Sequence, residues 1–214
     1  MPFNLDLTDA KVLLRTVAVN SKKMLDKLTD GYNNFLQLNP EDAKEVYQAS
    51  GNKLRDNGDY EGAIRAYRKI IDIDPANVTA CAELGKLYMK VGLLGDAIEL
   101  LEKAKTLDRT SPQLFFNLGS AYFMEDKNSE ALKAFKEAIK LNPGYAEAWY
   151  KMGLVHDSMS DHDKAIEAYK KVIALNPDFI KAYQSIGLAY ESKGQRDEAV
   201  KYFKKALEKE EKRF

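Results

Sequence analysis

Five glycines stand 34 residues apart in this 214-residue chain: Gly51, Gly85, Gly119, Gly153 and Gly187. The same step carries Ala63, Ala97, Ala131, Ala165 and Ala199. A third register holds Tyr47, Cys81, Phe115, Trp149 and Tyr183, and a fourth holds Tyr67, Leu101, Phe135, Tyr169 and Phe203. Pro75, Pro143 and Pro177 close three of the units, each preceded by Asp or Asn. A period of this length means stacked copies of one supersecondary unit, so a fold without internal repetition is ruled out.

Each register has a steric reason. In the unit from Ala146 to Phe179, two apolar stripes at helical spacing flank a short polar break. Trp149, Met152 and His156 share the face of one helix, and Ala165, Tyr169 and Val172 share a face of the next. Glycine inside a helix costs about 1 kcal/mol relative to alanine, so five of them need a packing reason. Gly153 and Ala165 are expected to let the paired helices approach closely. Pro177 then ends the second helix by forcing Asn176 out of helical geometry. A unit of this kind cannot bury its own face, and about three are needed for stability.

The remaining composition excludes much. Lys plus Arg total 33 and Asp plus Glu total 33, so there is no cationic excess to displace the counterions of a nucleic acid. A single Cys cannot form an internal disulfide. No apolar run reaches the length needed to span a bilayer, and the opening MPFNLDLTDA lacks the pattern of a secretory signal. These features predict a soluble cytoplasmic protein. Nucleotide-binding loops, nucleophile elbows, H-E-x-x-H and C-x-x-C are all missing, so no catalytic residue and no cofactor is assigned. His156 reads as a core residue and His162 as part of the polar break; a metal site built from them with Asp157, Asp161 or Asp163 is the disfavoured alternative. Cys81 occupies a large-residue register and reads as core filler rather than as a nucleophile.

The registers resemble the tetratricopeptide repeat (TPR) family over residues 44–213, in units 44–77, 78–111, 112–145, 146–179 and 180–213. Departures are small: Arg109 and Glu211 replace the closing Pro, Ser50 replaces the Leu before Gly51, and Leu54 and His156 stand where Tyr is common. The resemblance implies an all-α fold, a right-handed superhelical solenoid of five helix hairpins. It also implies binding of protein along a concave groove lined by the first helix of each unit. Carried onto this chain, the groove takes Gln48, Asn52 and Arg55 from the first unit and Lys86, Met89 and Lys90 from the second. The third gives Phe116, Ser120, Phe123 and Met124, the fourth Tyr150, Leu154 and Asp157, and the fifth Gln184 and Leu188. Its middle reads as an apolar strip of Phe116, Phe123, Met124, Tyr150 and Leu154, either exposed for a partner helix or shielded by neighbouring repeats. The dicarboxylate clamp of heat-shock co-chaperones does not fit. In one frame its cation positions hold Gln48, Gln113 and Asn117; in the next, Ala82, Glu147 and Lys151, so neither frame supplies the cations that would hold two carboxylates.

Residues 1–43 read as a degenerate helical repeat. Leu25, Leu28, Tyr32, Phe35 and Leu36 make an apolar stripe, which either caps the first unit or forms an arm that docks on another molecule. At the far end, KYFKKALEKEEKRF alternates in charge and is expected to be a solvated cap. Residues 179–214, together with LDLTDA (5–10) and LNPEDAKEVYQ (38–48), resemble the magnetosome-associated TPR proteins of magnetotactic bacteria. That resemblance implies a non-catalytic scaffold on the cytosolic face of the magnetosome membrane. Its partners would be itself, through the arm and groove, and other magnetosome-associated proteins that hold it to the membrane indirectly. A monomeric adaptor that binds a peptide or helix in the groove is the alternative.

Overall fold

The computed structural model describes residues 39–211, which form ten α-helices and, among them, no strand. The arm residues Leu25, Leu28, Tyr32, Phe35 and Leu36 lie outside the described residues. In chain order the helices are α1 (Pro40–Asp56), α2 (Tyr60–Ile73), α3 (Val78–Lys90), α4 (Leu94–Leu107) and α5 (Pro112–Met124). They continue as α6 (Asn128–Leu141), α7 (Ala146–Ser158), α8 (His162–Leu175), α9 (Ile180–Ser192) and α10 (Arg196–Glu211). Each helix packs on the next, giving five antiparallel hairpins in a TPR solenoid; α3 also touches α5, and α5 touches α7. The first helices therefore lie along one side of the array.

The glycine register is explained within each hairpin. A β-carbon added at Gly51, Gly85, Gly119, Gly153 or Gly187 would lie 2.8 Å or less from Tyr67, Leu101, Phe135, Tyr169 or Phe203 respectively. The glycine thus makes room for the large side chain of its own second helix, where the sequence suggested only a close approach to the alanine. Between hairpins the contacts are apolar: Leu84 and Leu87 of α3 pack with Tyr67 and Ile70 of α2, and Ile186 and Ala189 of α9 with Ile166, Tyr169 and Val172 of α8.

Helix ends carry further repeated devices. Asn39, Asp59, Asn77 and Ser111 cap helices by accepting from the backbone N–H three residues on. Each polar break holds one residue in the left-handed region: Gly58, Gly92, Asp126, Ser160 and Gly194. Their spacing is again 34, but only three are glycine, so this register is hidden in the sequence. Tyrosines of the first helices bridge back to the preceding hairpin: Arg68 donates to the Tyr88 hydroxyl at 2.9 and 2.7 Å, and Tyr122 donates to Glu102 at 2.8 Å. Lys170 donates to Tyr190 at 3.4 Å. His156 fills the equivalent place in α7, buried, with no hydrogen-bond partner for Nδ1 among the described residues and Asp161 Oδ2 3.9 Å away.

The C-terminal run expected to be a solvated cap lies on α10, where Lys201, Lys204, Lys205, Glu208 and Glu210 are exposed together with Val200 at 51 % and Leu207 at 59 %.

Candidate protein-binding groove

At the N-terminal end of the groove the lining is polar and internally paired. Gln48 donates to the Tyr67 hydroxyl at 3.0 Å, which in turn donates to Asn52 Oδ1 at 2.8 Å. Tyr67 is otherwise fully buried, and burial raises its pKa. Its hydroxyl surfaces between the two groove residues because a buried phenol needs a polar outlet. Gln48, Asn52, Glu45 and Thr79 share one depression of about 530 Å³ between α1 and α3. Arg55 pairs with Glu83 at 2.9 Å and with Asp56 at 3.0 Å, and Lys86 pairs with Glu83 at 2.5 Å. Both cations are thus matched by acids. Neither Arg55 nor Lys86 is therefore an unopposed positive charge for a carboxylate ligand.

The middle is apolar with a polar floor. Phe116 is half-buried, its ring 5.9 Å from that of Phe135 and 5.0 Å from that of Tyr145. Phe123 is half-buried against the same cluster, and Met124 is exposed at 52 %. Beside them, Tyr145 donates to the exposed Gln113 at Oε1 (2.5 Å), and Gln113 donates to Asn117 Oδ1 at 3.1 Å. Asn117 is 97 % buried, yet its Nδ2 meets no acceptor among the described residues, and Ser120 Oγ is likewise without a partner. A buried amide of this kind gains most from a ligand acceptor placed above it.

At the C-terminal end, Tyr150 sits between Tyr169 (5.5 Å) and Phe179 (5.0 Å), with its hydroxyl 3.3 Å from Ser185 Oγ. Tyr169 donates to Asp157 Oδ2 at 2.7 Å, and burial together with that bond to a carboxylate raises its pKa. Asp157 Oδ1 lies 3.1 Å from His162 Nδ1. Leu154 is half-buried, while Gln184 and Leu188 (56 %) are exposed. Met89 is half-buried in the joint between the second and third hairpins, and Lys90 is exposed.

The predicted strip is therefore only partly a free surface. Phe116 and Tyr150 lean on the residues that precede the next first helix, Tyr145 and Phe179, and Met124 and Leu188 carry the open apolar area. Sequence reasoning missed the hydroxyls of Tyr67 and Tyr169, which it placed in the large-residue register, and gave Tyr145 no role; for the first two the usable signal was that a fully buried Tyr needs a polar neighbour for its hydroxyl. Cys81 is fully buried and its thiol is pushed up by burial. No group of three or more metal-ligating side chains occurs among the described residues.

A stack of helix hairpins with a lined inner face defines a repeat protein of the interaction class. Models of the tetratricopeptide repeat match residues 146–179, 78–111 and 180–211, and a TPR repeat model matches 51–92 and 119–160. The chain belongs to the tetratricopeptide repeat family. Within that family it is similar to MamA. One crystal structure of MamA is 58 % identical, with a TM-score of 0.72 over 80 % of this chain and 94 % of that one. A second is 61 % identical, with a TM-score of 0.72 over 76 % and 95 %. The BBSome complex member BBS4 of Bos taurus is 34 % identical over 89 residues, 42 % of this chain. That stretch spans only 17 % of the length of BBS4.

Proposed function

We propose that the chain is a non-catalytic scaffold that grips polypeptide along its groove, and that one occupant is the N-terminal arm of a second copy. The observation that carries this reading is the polar leading face of α1. Where the other first helices place Leu84, Leu118, Met152 and Ile186 against the preceding hairpin, α1 has Ser50. Where they place Leu87, Ala121, Val155 and Ala189, α1 has Lys53, and both Ser50 and Lys53 are exposed. A preceding repeat docked in the interior manner would bury the Lys53 ammonium without a partner, a costly desolvation. The stripe of Leu25, Leu28, Tyr32, Phe35 and Leu36 then needs another apolar surface to cover it.

The groove supplies one. An amphipathic helix laid along it meets Met124 and Leu188, the edges of Phe116 and Tyr150, and the free amide of Asn117. Copies joined in this way leave their outer faces available to other proteins. Similarity to MamA supports placing the assembly at the magnetosome membrane, on its cytosolic side and held there through protein partners. No helix among the described residues is long and apolar enough to cross a membrane.

The test is the size in solution of the full chain against a chain beginning at Glu41. The full chain is expected to run as a large assembly and the shortened one as a much smaller species. If both run as the same monomer, self-assembly through the arm is wrong and the monomeric adaptor takes its place.

A further inference from the structure

Three clefts open on the face away from the groove, each between successive second helices with the intervening first helix as its floor. Their volumes are about 490 Å³ between α2 and α4, about 170 Å³ between α4 and α6, and about 340 Å³ between α8 and α10. Each is lined by the same pair of equivalent positions, one from either second helix: Arg68 and Lys103, Glu102 and Glu137, Lys170 and Lys205. The 34-residue step puts Lys136 and Lys171 at that pair between α6 and α8. The first two clefts stay open although further hairpins follow them, so the opening between α8 and α10 does not depend on what comes after α10.

One geometry thus carries a different charge at each joint. Arg68 is taken up by the Tyr88 hydroxyl, and Asp72, Asp96 and Glu99 share its cleft with Lys103. The second cleft sets Glu102, Glu130 and Glu137 against Lys105 and Lys133. The α8–α10 cleft reverses the balance, with Lys170, Lys205 and Lys209 against Glu208. Lys209 pairs with Asp178 at 2.8 Å, whereas Lys136, Lys170, Lys171 and Lys205 are exposed and make no ion pair among the described residues. Rings hold two of these four in place. Lys170 Nζ lies 5.9 Å from the Tyr190 centroid, Lys205 Nζ lies 5.1 Å from that of Tyr202, and the two rings stack at 5.6 Å. A cation already fixed on a ring face loses less freedom when it meets an anion. Ile173 and Tyr183 add apolar surface to the same cleft.

We propose that this run of lysines on α6, α8 and α10 is a docking site for an acidic peptide segment of another protein. One carboxylate enters each of two successive clefts, between Lys136 and Lys171 and between Lys170 and Lys205, and an apolar neighbour rests on Ile173 and Tyr183. Charge complementarity selects this occupant: the chain has no net charge, yet these two joints gather cations that no acid of its own opposes. The recess favours a side chain that can enter it, since a lipid surface reaches only the rim. Contacts of this kind set partner choice and on-rate, and salt weakens them. The proposal rests on the reading that the outer face receives other proteins, and it is independent of what fills the groove.

The test is fluorescence anisotropy of a dye-labelled peptide of alternating Glu and Phe, titrated with the full chain at low ionic strength. Saturable binding is expected, and a matched peptide with Gln for Glu is expected not to bind. Lys170→Glu together with Lys205→Glu should weaken binding about tenfold, and adding Lys136→Glu and Lys171→Glu should abolish it. An excess of unlabelled peptide 21–38 should not displace the probe, because that peptide is assigned to the groove; this result stands whether or not the arm docks there. The proposal is overturned if the probe does not saturate, if the Gln peptide binds equally well, or if the charge reversals change nothing. Displacement by peptide 21–38 would place the probe in the groove, and displacement by phosphatidylserine vesicles would assign the lysines to a membrane surface; either result overturns it as well.

Discussion

Inside each hairpin the same contact is made five times, a glycine under a large side chain of the second helix, whereas the polar bridge between hairpins differs at every joint. Arg68 meets Tyr88, Glu102 meets Tyr122, Lys170 meets Tyr190, and the fourth first helix substitutes His156, whose Nδ1 has no hydrogen-bond partner among the described residues. The difference teaches which contacts define the unit and which tune how units follow one another. The seam keeps glycine because the first-helix backbone and a large second-helix side chain, a ring in four hairpins and Leu101 in the other, compete for the same space. The joint is a row of apolar contacts with a polar bridge at its edge, and several chemistries close it.

The largest expected effect is therefore in a seam. Gly119→Leu drives its side chain into the Phe135 ring and should cost about 3 kcal/mol, read as a lowered thermal midpoint. A midpoint unchanged by that substitution breaks the comparison. In a joint, Tyr122→Phe removes the 2.8 Å bond to Glu102 and should cost only about 1 kcal/mol in urea denaturation. Burial and the Glu102 carboxylate push the Tyr122 hydroxyl up to about 12, so this bond should be insensitive to pH across the neutral range.

The His156 joint should instead respond to acid. Burial holds its imidazole below the usual range, against the opposing pull of Asp161. The folded state therefore binds this proton less readily than the unfolded chain. Above about pH 6.5 both forms are neutral and nothing is lost; as pH falls below that value the unfolded state takes up the proton first and stability declines. His156→Tyr should flatten that part of the stability–pH curve, measured by denaturation at a series of pH values. The smallest effect is expected in the turns. Ser160 adopts φ of 60°, and Ser160→Gly should stabilise the chain by about 0.5–1 kcal/mol in the same assay.

Most of the fold was legible because it is steric and local: Gly, Ala and ring registers at a fixed period state which helices pair and where each hairpin ends. The left-handed register was hidden because Asp126 and Ser160 take the place that glycine holds elsewhere. The groove was read less well, and the reason is geometric. Whether Phe116 or Tyr150 is free depends on Tyr145 and Phe179, residues about 30 positions away that arrive from the following hairpin. The Tyr67 and Tyr169 hydroxyls were counted with the core, because a register describes where a ring packs and not where its polar tip emerges.

The account rests most heavily on the groove as the surface that holds polypeptide. Its most direct test is fluorescence anisotropy of a labelled peptide spanning residues 21–38, titrated with the chain that begins at Glu41. Saturable binding is expected, weakened at least tenfold by Met124→Asp together with Tyr150→Ala. Absence of saturation, or binding indifferent to both substitutions, would contradict the claim.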